Sequence, residues 1–76
     1  MTVLEQTRAF LCDRCGCFYE DVEMAASLDE LNVADFEREE LAFLLTERYG
    51  VEIPSEELAA FETVEDLVCY IEDRLG

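Results

Sequence analysis

Residues 31–54 read LNVADFEREELAFLLTERYGVEIP. From Phe36 the apolar residues recur with helical period as far as Tyr49, Gly50 supplies a stop, and Pro54 prevents early resumption. At about 100° per residue, Leu41, Leu44 and Leu45 gather on one side of this helix with Ala42 and Tyr49 at the margin, so that side is expected to face the core. Phe36 and Phe43, seven residues apart, fall on the opposite side together with Glu39, Glu40 and Glu47. Two phenyl rings among three carboxylates read as an outward-facing strip; the alternative is that Phe36, near the helix start, folds back over the preceding loop.

Three further helices follow from the same logic on either side. Thr2 and Glu5 have capping-box spacing, and Val3, Leu4, Thr7, Phe10, Leu11 and Cys15 continue with helical period, predicting a first helix over residues 3–15. Gly16 ends it, and a long packed loop is expected to follow, held by Phe18, Val22, Met24, Leu28 and Leu31. After Pro54, residues 55–61 have room for one short helix. Thr63 and Asp66 repeat the capping-box spacing and open a last helix with the stripe Val64, Leu67, Val68, Ile71 and Leu75. Three longer helices, one short one and a long first loop make a small all-α, four-helix bundle, and 76 residues make it a single domain.

Composition narrows the partners. Twenty acidic residues face five arginines, with no lysine or histidine, for a formal charge of −15. Nucleic acid and anionic membranes are repelled by such a chain, whereas a basic protein surface is attracted. No basic-then-apolar leader and no long apolar run are present, which places the expectation in the cytoplasm, with the four cysteines as thiols and the chain as a monomer.

The stretch Leu31…Ala34-Asp35-Phe36…Glu52-Ile53-Pro54 resembles the acyl carrier and peptidyl carrier proteins, whose hallmark is a leucine, a short turn, then Asp-Ser-Leu opening a helix that ends before Glu-Ile-Pro. The likeness spans nearly the whole chain: Cys15-Gly16-Cys17 stands where carriers place an apolar residue, glycine and an apolar residue, and Thr63-Val64 opens the last helix as theirs does. The resemblance implies the four-helix carrier fold, a second helix that partner enzymes recognise, and 4'-phosphopantetheine as the family's cofactor, carried on the serine. Counting back from Pro54 without a gap puts Asp35 on that serine and Phe36 on the following leucine; Phe43 takes a position often apolar, and Glu39 departs from one.

A carboxylate offers no hydroxyl for the arm, so no cofactor is expected at residue 35. Asp35 reads instead as an N-cap worth about 1 kcal/mol, or, more sharply, as a mimic of the arm's phosphate that makes the chain look permanently loaded. The only two serines, Ser27 and Ser55, lack an Asp-Ser-Leu setting. Cys12, Cys15 and Cys17, with Cys69, are the one candidate metal set, but the run lacks a matching second pair and thiols also pack as small hydrophobes. Without histidine or lysine, catalysis is not expected.

The first reading is therefore an armless, acidic interaction module. It docks a basic partner, such as an acyl-transfer or biosynthetic enzyme, through Asp35, Phe36, Glu39, Glu40, Phe43 and Glu47. The alternatives are a specialised acyl carrier of fatty-acid, polyketide or related biosynthesis with its arm on an unexpected serine such as Ser55, and a thiol or zinc protein using the cysteine run.

Overall fold

The computed structural model describes residues 2–76. Thr2 caps the first helix, α1 (Val3–Arg14), in both directions: its hydroxyl accepts from the Glu5 amide at 3.1 Å, and the Glu5 carboxylate accepts from the Thr2 amide at 3.1 Å. A short 3₁₀ turn at Tyr19–Asp21 interrupts the loop that leads to α2 (Asp35–Tyr49). The short α3 (Ser55–Ala60) and then α4 (Val64–Leu75) complete the chain. Gly50 ends α2 with φ of +72°, a left-handed conformation that glycine reaches at no steric cost.

The order of the helices matches the reading from periodicity, while their limits shift by a residue: Cys15 and Phe61 are C-caps and not helical, and α2 begins at Asp35. In α4, Val64, Leu67, Val68 and Ile71 are buried as one stripe against α1, which also packs on α2, while α2 packs on α3. Leu11, Leu41 and Leu45 close the core from the other helices. Some margins differ. Leu75, expected in the buried stripe, is 49% exposed at the last turn of α4. Leu44 is only half-buried, and Ala42 takes the fully packed place beside Leu41 and Leu45.

The loop between α1 and α2 is held by backbone pairing as well as by side chains. The amides of Val64 and Glu65, free at the start of α4, donate to Ala26 (3.0 Å) and Met24 (2.9 Å), and the Leu28 amide donates to Glu62 (2.9 Å). Val22, Leu28 and Val33 are the buried anchors, with Met24 and Leu31 packed on their edge. Phe18, expected among the anchors, is 71% exposed instead. Arg8 of α1 secures this stretch by donating to the Val22 carbonyl at 2.8 Å and lying 4.3 Å over the Tyr19 ring.

Candidate functional site

The site is built around the first turn of α2. The N-cap is Ala34, with extended backbone (φ −70°, ψ 159°) and no side-chain acceptor to offer. Only half of a capping box forms there, as Glu37 reaches back to accept from the Ala34 amide at 3.0 Å. Asp35 is thus the first helical residue and not the cap expected from the sequence. Its exposed side chain makes no hydrogen bond or ion pair among the described residues, although its charge still suits the positive end of the helix.

One turn on, Arg38 fixes this end of α2 to the rest of the domain. Its guanidinium donates to the Phe61 carbonyl at 3.0 Å and to Asp29 at 2.9 Å, which ties α2 to the α3–α4 junction and to the loop. Its Nε is buried without a partner among the described residues. This clamp is not legible in the sequence, because its partners lie nine and 23 residues from Arg38, outside the spacing of any one helix.

Asp35, Arg38 and Glu39 border a small cleft whose other wall is Ser55, Leu58 and Ala59 of α3. Ser55, remote in sequence, is therefore a spatial neighbour of Asp35, and it is exposed. Ser27 is differently placed: its hydroxyl accepts from the Glu30 amide at 3.3 Å and its backbone bridges to Thr63.

The outward face of α2 has the composition expected of it. Phe36 and Phe43 are 63% and 66% exposed, so neither ring folds back over the loop. Glu39 and Glu47 are exposed beside them, and Glu40 pairs with Arg14 of α1. Across from these rings, α1 contributes Ala9, Phe10 and Asp13 to a long open groove, with Leu44 in its α2 wall. This explains why Leu44 and Phe10 stay half-buried. The reading of α2 alone missed the groove, whose second wall comes from another helix.

Three of the four cysteines sit where the protonated thiol is favoured. Burial pushes the Cys15 thiol up to about 12, with the Glu37 carboxylate adding to the effect. Partial burial likewise raises Cys17 and Cys69, and the Cys17 thiol donates to the Leu31 carbonyl at 3.6 Å. Thiols held protonated are poor nucleophiles and poor metal ligands. Among the described residues, no group of three or more His, Cys, Asp or Glu is placed to hold a metal ion. No helix among them is long and apolar enough to cross a membrane.

No protein-family model matches the chain. It is similar, however, to curated acyl carrier proteins over nearly its full length. It is 34% identical to the acyl carrier protein of Thermosynechococcus vestitus over 75 residues, covering 97% of this chain and 93% of that one. The acyl carrier protein of Phenylobacterium zucineum is 32% identical (97% and 95% covered), and that of Chlamydia trachomatis serovar D 29% identical (97% of each). With the helix order, the pinned loop and the outward face of α2 all in place, this full-length similarity means that the chain belongs to the acyl carrier protein family.

Proposed function

We propose that this chain is a carrier-protein fold without the prosthetic arm, used as an acidic docking module for a basic partner protein in the cytoplasm. The observation that carries the reading is the exposed carboxylate of Asp35 at the first position of α2, with Phe36 and Phe43 standing out from the same helix. The family's cofactor, 4'-phosphopantetheine, needs a hydroxyl at that helix start, and the residues there do not fit it. Asp35 has acceptor oxygens only, Ala34 has no polar atom in its side chain, and the carboxylate of Glu37 already occupies the Ala34 amide. Exposed rings supply contact area for a partner, and the neighbouring Glu39 and Glu47 supply orientation and a faster encounter with a basic surface. Without histidine or lysine the chain has few acid and base groups for catalysis, and the raised thiols do not favour a metal or redox role.

The test is arm transfer from coenzyme A by a broad-specificity phosphopantetheinyl transferase, read by intact mass. The wild-type chain is expected to stay at its own mass. The double variant Ala34→Asp with Asp35→Ser, which rebuilds an Asp-Ser-Phe start to α2, is expected to gain one arm. Transfer to the wild-type chain refutes the armless reading. Failure of the double variant refutes the assignment of residue 35 to the attachment position.

A second reading is favoured by one specific observation: the exposed hydroxyl of Ser55 shares a cleft with Asp35. A specialised carrier with its arm on Ser55 would present the arm beside the usual place. In the same assay this reading requires an added arm on the wild-type chain and none on Ser55→Ala.

A further inference from the structure

We infer that the groove between α1 and α2 is a two-walled receptor for one basic amphipathic helix of a partner protein, so that docking engages α1 as well as the outward face of α2. The inference rests on the docking reading above and names its partner.

Three features of the groove lead to this occupant. Its α2 wall runs from Phe36 to Arg48, about 18 Å at 1.5 Å per residue, which matches a partner helix of about 12 residues. Phe36 and Phe43 lie two turns apart on one line, the spacing at which a helix presents its own i and i+7 anchors, and Ala9 leaves the opposite wall low enough for side chains to enter. Phe10, with the Arg14 guanidinium 5.7 Å from its ring centre, continues the apolar surface onto α1.

Charge selects among possible occupants. Glu40 is paired with Arg14, whereas Asp13, Glu39 and Glu47 form no ion pair among the described residues, and Arg48 is the other cation lining the groove. The groove therefore carries surplus negative charge on a chain of −15. A second copy of this chain would bring −15 against −15, while lysines or arginines flanking an apolar helix face would meet the free carboxylates.

The test uses a fluorescent synthetic helix of leucine and lysine, with a leucine and glutamate helix of the same pattern as control, titrated with the full chain at about physiological ionic strength. The probes are the wild-type chain, Ala9→Arg in the groove, Phe43→Ala on α2, and Ala60→Arg, which makes the same charge change at an exposed position of α3 outside the groove. The lysine helix is expected to bind and the glutamate helix not. Ala9→Arg should weaken binding at least tenfold, and Ala60→Arg less than threefold. Equal losses in the two arginine variants would show attraction to net charge alone and overturn the inference. Loss in Phe43→Ala with none in Ala9→Arg would overturn it while leaving docking through α2 intact. No binding by any form would sink both readings. Concentration-dependent dimers that Ala9→Arg dissolves would give the groove to a second copy and overturn the basic-helix assignment.

Discussion

Replacing Arg38 with alanine separates a buried hydrogen bond from an exposed ion pair within one side chain. Its link to Asp29 spans 2.9 Å, but the Asp29 side chain is 92% exposed, so solvent screens the pair to roughly 0–1 kcal/mol. The link to the Phe61 carbonyl, at 3.0 Å, is a hydrogen bond from a charged donor in a part-buried setting, about 1.5–3 kcal/mol. Arg38→Ala is therefore expected to destabilise the domain by about 2–3 kcal/mol, since it leaves the Phe61 carbonyl unpaired and also removes the packed stem. In a chain of this size that is a fall in Tm on the order of 10–20 °C. Asp29→Ala should cost about 1 kcal/mol or less. Arg38→Met, which keeps most of the stem and relieves the buried, unpartnered Nε, should fall between the two. Urea unfolding followed by circular dichroism measures all three. Asp29→Ala costing as much as Arg38→Ala would refute the ranking, because the exposed pair would then hold the end of α2.

Other consequences follow from the caps and the thiols. Ala34→Ser, which gives α2 the N-cap acceptor it lacks, should stabilise the domain by about 1 kcal/mol, readable as a rise in Tm of roughly 4–8 °C. Asp66 is held below the usual carboxylate range by the Glu62 amide and then the Thr63 amide. Its contribution is therefore present above the unfolded-state pKa of about 4 and is lost as pH falls through the lower folded value. The stability gap between the parent and Asp66→Asn, measured by unfolding across pH, should be open at pH 7 and close at pH values below 4. With burial pushing the Cys15 thiol up to about 12, the fall in thiolate is partly offset by the greater nucleophilicity of a more basic thiolate, so its alkylation by iodoacetamide at pH 8 should be on the order of thirtyfold slower than in the urea-unfolded chain, as read by peptide mass mapping. A rate like that of the unfolded chain would revive the thiol reading.

What the sequence made legible was local. The stops at Gly50 and Pro54, the capping pairs Thr2–Glu5 and Thr63–Asp66, and the alternating faces of α2 depend on spacing along one helix, and each has its counterpart in the fold. Aspartate suits both the cap and the first helical residue, and spacing alone does not decide between them; with Ala34 extended and its amide on Glu37, Ala34 is the cap and Asp35 the first helical residue. The features that escaped the sequence are made between distant segments. The Arg38 clamp, the cleft shared by Asp35 and Ser55, and the groove between Phe10 and Phe43 each need two elements packed together. Periodicity within one helix carries no record of its neighbour. Asn32 is a local exception: its φ of 59° lies in the turn that brings Val33 to the core, and asparagine tolerates this conformation better than most residues.

Whether the chain is armless is decided by the intact mass, with peptide mapping, of the wild-type chain purified from cells that co-express a broad-specificity phosphopantetheinyl transferase. A single species at the mass of the unmodified polypeptide is expected, with the peptides carrying Asp35 and Ser55 unaltered. A species heavier by one phosphopantetheine, on Ser55 or at any other residue, would contradict the armless reading.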